Sequence, residues 1–496
     1  MLLKRGEQWA EQLVVAAPSE PAISGELTFG AYSEGADPVI GGVTIRRDNT
    51  IVEDLTIDQH KHDRPLFSAD LRFRSTIVDE RQIATAFREE FARHGLTVSP
   101  QAITRSERGP IKWVVRDYDN ERKYALKFTD HGIEVMEMDD AVRLFSARRC
   151  ELRDLTLRNG ISDGIDADYA DGLLVDSCLI HDFLAGSFAE QQDAHGIVVT
   201  HTQGVTIRNT EIHHVSGDCL QTDPYRTDPV TNDVLIENCH FWTGPLEEDF
   251  SENWRAGQRP GENAIDTKAA KDWENAGRMR LTIRNTVAHG WLKDDYISNK
   301  AAFNMKEKVD AVFDGVTVYD CELGFRLRGA RGNAKVTILN AVIHDCEFAV
   351  RAEDNLRDLR IDNCTFGNQI GSIFRDAAMD RGNSTKVTWE LRNNVFVGTP
   401  EPSSDLIALS DTAEETTLDP QGHALILDKS NKSAEDSEFL DAAAHDYRLQ
   451  DGSRLIDAGV EIELVQTDRN GVTRPQGAAC DAGAYEHTKT DSRESL

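Results

Sequence analysis

The chain has 496 residues, 39% hydrophobic and 7% aromatic, enough for one large domain or two to three ordinary ones with a sizeable core. A formal charge of −31 at pH 7 excludes wrapping nucleic acid, because neutralising phosphates needs a net basic surface. No run approaches the ~18 apolar residues of a membrane span, which excludes a helical membrane protein.

From Leu2 to about His60 the text is short β-type runs with glycine turns, closing on the line Ile51–Asp58 that recurs later. Residues 1–67 therefore read as an N-terminal cap and first turns. Residues 68–138 follow a different grammar and read as a small α+β insertion. Glu80 to His94 has helical character, with Ile83, Phe87 and Phe91 four apart on one face. The runs Lys112–Arg116 and Lys123–Phe128 flank Asp117–Glu121 and predict a hairpin. The insertion serves either substrate gating or packing, and packing is the simpler expectation.

Residues 139–398 carry a repeat written in two lines. The first is apolar–variable–apolar–variable: Ile165–Asp168, Ile197–Thr200, Leu220–Asp223, Ile265–Lys268, Phe303–Lys306, Phe325–Arg328 and Val350–Glu353. Period-two alternation makes each a strand whose second and fourth residues share a face. The second line recurs as Leu173–His181, Val205–His213, Val234–Trp242, Leu281–His289, Ala311–Tyr319, Val336–His344 and Leu359–Gly367. One line of each makes a unit of about 22–25 residues, which cannot bury its apolar face alone and must stack on its neighbours. The second line splits into two strands at Asn209, Asn238, Asn285, Asn340 and Asn363, since asparagine tolerates the left-handed backbone of a tight bend. Three strands per turn make an all-β parallel β-helix. A leucine-rich solenoid lacks its helix here, and a propeller its four-strand blade.

Repeat-equivalent cysteines, Cys178, Cys239 and Cys364 in one place and Cys321 and Cys346 in another, predict small buried thiols rather than disulfides or zinc ligands. His181, His213, Trp242, His289, Tyr319 and His344 form a further column, expected to be a stacked surface ladder rather than a metal strip. Residues 399–486 read as a C-terminal capping segment and 487–496 as a disordered tail.

Leu2–Trp9, the repeats, Ile456–Gly459, Arg474-Pro475 and Asp481–Glu486 together resemble the right-handed parallel β-helix proteins of the pectate-lyase-like superfamily. The resemblance covers nearly the whole chain apart from the insertion. It implies a right-handed solenoid and a secreted or periplasmic protein, its leader missing from this sequence. It also implies action on polysaccharides as a lyase, hydrolase or epimerase.

Stacking the first lines sets two outward columns, Asp166, Val198, Gln221, Asp266, Asn304, Arg326, Arg351 and Asp168, Thr200, Asp223, Lys268, Lys306, Arg328, Glu353. Acids gather at one end and bases at the other, a graded groove for an extended anionic sugar chain. The expected chemistry is β-elimination on a uronic-acid polymer. Lys268 is the base, its pKa lowered by neighbouring cations, and Lys306 one turn away is the alternative. Arg326 and Arg328 bind the carboxylate. Gln221, Asn304, Arg351, Trp254 and Trp291 contact substrate. Asp218, Asp223, Glu262 and Asp266 offer hard oxygen ligands for Ca²⁺, a cofactor that the resemblance also implies. Hydrolysis by carboxyls drawn from Asp166, Asp168, Asp223 and Asp266 is the alternative, followed by epimerisation or glycan binding without turnover. A plain ion-pair ladder is the reading without function. The protein is expected to act as a monomer, with no nucleic-acid or membrane partner.

Overall fold

A computed structural model of the chain describes residues 1–9, 12–16, 25–59, 66–69, 88–94, 102–105, 111–117, 122–129, 132–189, 192–251, 253–354, 356–377, 388–398, 407–409 and 424–488. The bends expected at asparagine are left-handed: Asn209, Asn238, Asn285, Asn340 and Asn363 have φ between 46° and 54°. Asp154, Ser177 and Asn393 occupy the same place in other turns, at φ 49°, 56° and 54°. Each bend separates two short strands that then pair with the same strands of the next turn. Asn393 donates its side-chain amide to Asn363 Oδ1 at 3.2 Å, and Asn340 donates to Asp314 at 2.8 Å.

One turn shows the plan. Glu151–Arg153 lies in a 13-stranded sheet, Thr156–Gly160 in a 12-stranded sheet, and Ile165–Asp168 in a second 12-stranded sheet. All three sheets pair parallel along their described length, and the chain is a right-handed parallel β-helix. The sheet holding Ile165–Asp168 is called the site sheet below.

The interior is filled in files. Val175, Ile207, Ile236, Ile283, Phe313, Ile338 and Ile361 pair residue to residue in successive turns, each fully buried. A buried side chain of this size is worth about 1.5–3 kcal/mol, so the file holds the solenoid together. All eight cysteines are free and buried. Cys178, Cys239 and Cys364 each point Sγ at a carbonyl of the turn below, at 3.6 Å, and burial pushes the Cys178 and Cys239 thiols up to about 12.

Ahead of the main repeat, Phe67–Ala69, Ala102–Arg105, Ile111–Asp117, Arg122–Thr129 and Gly132–Glu137 form a five-stranded antiparallel sheet, with residues 88–93 helical. The two runs expected to form a hairpin are antiparallel partners; residues 80–87 of the expected helix and the hairpin tip 118–121 lie outside the described residues. Ala125 and Met138 pack on Ile161, and the Lys123 amide donates to Asp139 Oδ1, which ties this sheet to the first turns of the site sheet.

At the other end, Tyr447, Leu449 and Leu455 pack on Val395 and Val397, while Arg474 and Glu486 form a buried ion pair at 2.9 Å. Of the expected disordered tail, His487 is held by Asp481 and Asp451, and residues 489–496 lie outside the described residues.

Seven successive site-sheet strands have a small residue just before the apolar alternation begins: Gly164, Gly196, Cys219, Ala264, Ala302, Gly324 and Ala349. A β-carbon on Gly196 would stand 2.4 Å from Ile212 Cγ2 and 2.7 Å from the Cys219 carbonyl oxygen. Gly196→Ala is expected to lower stability by about 1–3 kcal/mol, the cost of overpacking a dense core, in urea denaturation.

Candidate active site

The first outward column forms as the alternation requires. Asp166 pairs with Val198, Val198 with Gln221, Gln221 with Asp266, Asp266 with Asn304, Asn304 with Arg326, and Arg326 with Arg351. The second column does not persist. The strands there stop at Thr222 and Asp266, so Asp223 and Lys268 lie beyond the paired register. Asp223 takes a left-handed backbone at φ 47° and turns inward. It is fully buried, accepting from Thr231 N, Thr231 Oγ1 and His201 N, and so is a turn-holding carboxyl rather than a groove acid. Desolvation raises it to about 6.

A column absent from the expectations runs beside the first, three residues earlier in each turn. Asp140, Asp163, His195, Asp218 and Asn263 follow one another up the corner, linked through backbone bonds from Ala141 to Asp163, Gly164 to His195, Gly196 to Asp218 and Cys219 to Asn263. Its signal was present in Asp163-Gly-Ile-Asp, His195-Gly-Ile-Val, Asp218-Cys-Leu-Gln and Asn263-Ala-Ile-Asp, all polar–small–apolar–outward. Beyond Asn263 the same place holds Ala301, Leu323 and Phe348, so the polar stretch spans only the early turns.

His195 is the centre of this column. Its backbone amide donates to Asp163 Oδ1 at 2.8 Å, and its Nδ1 accepts the Asp218 amide at 2.8 Å. That second bond places the proton of the neutral ring on Nε2. Gly217 permits the contact, for a β-carbon there would meet Nδ1 at 2.4 Å. Burial opposes protonation of His195, but Asp163, Asp218, Asp193 and Glu262 together outweigh it and hold the ring above its ordinary value.

The carboxyls around it are pushed the same way. Asp218 is fully buried, accepting Gln221 Nε2 and Asn263 Nδ2 at 2.7 Å each, and desolvation with the charge of Asp266 raises it. Desolvation, then Asp140, raise Asp166 well above the carboxylate range. Half-buried Glu262 reaches about 8 through desolvation, then Asp218, Asp193 and Asp266.

Asp266 is engaged differently. Lys306 Nζ lies 2.7 Å and Lys268 Nζ 3.0 Å from its Oδ2. The expectation of a lysine with lowered pKa is overturned: although burial opposes it, Asp266 and Asp218 raise Lys268, so it keeps its proton at neutral pH. The guanidinium groups are likewise occupied. Arg326 makes a forked pair with Glu353 at 3.0 and 3.1 Å, Arg351 reaches Glu353 and Asn299, and Arg328 reaches Asp354 at 2.8 Å. This half of the column is the ion-pair ladder, not a set of free carboxylate binders.

Three expected substrate contacts are also covered. Gln221, 4% exposed, serves Asp218. Trp254, 1% exposed, packs with Leu184 and Leu246 inside a loop cluster. Trp291, 1% exposed, belongs to the main core. Asn304 stands in the column but is 2% exposed. Among the groups half-buried or exposed at this face are Asp163, Asp166, Asp193, Glu262, Lys268 and Lys306. A cleft at the Asp166 end is lined by Asp140, Asp163, Asp166, Arg143, Lys123 and Tyr225, so the antiparallel sheet contributes one wall.

The four carboxyls expected to hold Ca²⁺ do not converge. Among the described residues, no three of their oxygens lie within 4.8 Å of one another. Asp218 and Asp223 are saturated by amides and a hydroxyl, and two ammonium groups stand on Asp266. As arranged, this donor set does not fit calcium.

No family model and no curated protein sequence matches the chain. Solved structures similar in fold include the catalytic unit of the GH87 α-1,3-glucanase from Streptomyces thermodiastaticus, at 12% identity and TM-score 0.48, over 87% of this chain and 62% of that one. The pectate lyase Pel9A is similar at 15% identity and TM-score 0.35, over 69% and 80%. PfbA, a surface adhesin of Streptococcus pneumoniae, is similar at 10% identity and TM-score 0.40, over 86% and 84%. The chain spans less than two thirds of the glucanase unit. These are likenesses of fold, so chemistry has to be argued from this chain's own groups.

Two outcomes test the electrostatics. Glu262 is near 4.3 unfolded and about 8 folded, so its contribution is complete below about pH 4 and lost as pH rises through 8. Urea denaturation is expected to show the wild type losing more stability between pH 5 and 8.5 than Glu262→Gln. Asp266→Asn strips the shared carboxylate from two adjacent ammonium groups. It is expected to cost about 3 kcal/mol, the low end for breaking a buried pair because both lysines reach solvent, in the same assay.

Proposed function

We propose that the protein is a carbohydrate-active enzyme that hydrolyses glycosidic bonds of a polysaccharide laid across the early turns of the site sheet. The observation that carries this is the corner column, where carboxyls and His195 crowd into a rigid row beside the groove and Glu262 keeps its proton to about pH 8. Glu262, one turn above Asp218, gives its proton to the leaving oxygen. Asp193, exposed in the loop before His195 and within electrostatic reach of Glu262, takes the proton of the attacking water. The carboxyl that keeps its proton is the acid, and its solvent-exposed neighbour is left as the base. His195 and Asp218 position this pair without reacting, and the ammonium groups of Lys268 and Lys306 stand where a hydroxyl or carboxylate of the sugar would bind.

Elimination on a uronic-acid polymer is the second reading, favoured by those two ammonium groups beside the acids. It requires Lys268 to lose its proton against Asp266.

Incubation with neutral and uronic polysaccharides separates the two. New reducing ends without ultraviolet absorbance, with kcat reduced about 10²–10⁴-fold in Glu262→Gln and a wild-type rate that falls above about pH 8, is the outcome expected. Absorbance of an unsaturated product that Lys268→Ala abolishes would replace hydrolysis by elimination. Neither product on any polymer would leave a binding protein.

A further inference from the structure

The 12-stranded sheet that holds Thr156–Gly160, which carries no part of the groove, ends in a different chemistry. Along it His181, His213, Trp242, His289, Tyr319 and His344 stack ring on ring, with centroids 4.4–5.9 Å apart. The last ring is supplied from the C-terminal cap, where His445 lies 4.0 Å from His344. Only here, among the described residues, do three metal-ligating side chains come together: His344, Asp345 and His445 offer atoms all within 4.8 Å of one another.

We propose that these three residues bind a divalent transition ion of the zinc class, which fastens the C-terminal cap to the solenoid. Asp345 Oδ2 lies 2.5 Å from His344 Nδ1 and 3.4 Å from His445 Nε2, so one carboxylate oxygen is shared by two imidazole nitrogens. Each nitrogen meets that anionic oxygen either through its own N–H hydrogen or, with its lone pair free, through a metal ion. A tetrahedral ion with bonds of about 2.0–2.2 Å sets its donors about 3.3–3.5 Å apart. The Asp345–His445 spacing already meets that; the Asp345–His344 spacing has to open by about 1 Å, and the two rings, now stacked at 13°, have to swing apart so that both in-plane lone pairs meet the ion. Two imidazoles and one carboxylate suit zinc, nickel or copper and not calcium.

The surroundings prepare the nitrogens. His445 turns its other nitrogen, Nδ1, to the Tyr447 hydroxyl at 3.4 Å, and that hydroxyl accepts the Asn368 amide at 2.8 Å. The ring is thereby oriented from outside the site, as metal-bound histidines usually are. His344 and Asp345 sit at the end of a solenoid strand, whereas His445 sits in the cap turn after residues 442–444. An ion here therefore joins segments about 100 residues apart, and closing so long a loop stabilises chiefly by limiting the unfolded chain.

The test uses the full chain, freed of metal with a chelator and titrated with zinc chloride by calorimetry. One equivalent is expected to bind and to raise the melting temperature. Hydrogen exchange of residues 439–449 is expected to slow with zinc. His445→Gln and Asp345→Asn should each weaken binding at least tenfold, while His289→Gln, elsewhere on the ladder, should leave it unchanged. Asp345→Asn leaves the cap sequence intact, so its result stands even if the cap variant loosens the fold. Absence of binding at millimolar zinc overturns the proposal. So does binding that survives both variants, or that is lost equally in His289→Gln.

Discussion

The hydrogen bonds that lock each turn onto the next in fixed register are what every other feature rests on. They are backbone bonds, indifferent to side chains, yet they convert any residue recurring once per turn into a file spaced at about 4.8 Å. Interior apolar residues, the left-handed bends, the aromatic rings and the charged groove are four such files. The bend is the point at which this order is most exposed to sequence. An asparagine, aspartate, serine or glycine must stand where the chain turns left-handed, and one does in turn after turn. A solenoid built this way holds its reactive groups on a frame with little freedom to shift.

That frame explains how so many acids come to share one corner. An isolated buried carboxyl gives up its proton reluctantly, and several together still more so. Here Asp163, Asp166, Asp218 and Glu262 are all displaced upward while Asp266 is met by two lysines. The chain carries a large net negative charge, so concentrating more of it against the core strains the early turns electrostatically. The continuous apolar file behind them supplies the stability against which that strain is held.

The sequence was most legible where a residue's role depends on period alone. The alternation at Ile165–Asp168 and its counterparts predicts the outward column correctly from Asp166 to Arg351, and Asn209 and its equivalents announce the bends. It was least legible where a role depends on how a strand is entered or left. The corner column lies outside the alternation because a small residue separates each polar residue from the alternating run, which begins two residues later. Asp223 was misplaced because a left-handed residue at the strand end turns its carboxyl inward. Trp254 and Trp291 were assigned to sugar because loop packing leaves no periodic trace. The sequence makes Lys268 a base of lowered pKa and the arginines carboxylate binders, and only the folded chain brings Asp266, Glu353 and Asp354 to them.

The ring ladder on the sheet that holds Thr156–Gly160 has an optical consequence. Trp242 is held between the imidazoles of His213 and His289, nearly parallel to both. Those rings sit at about 3 and about 4, depressed chiefly by burial, so they remain uncharged down to strongly acidic conditions. An imidazolium ring quenches indole emission far more than a neutral one. Trp242, one of seven tryptophans, is thus an indole clamped between two rings that at ordinary pH take up protons only if the stack opens.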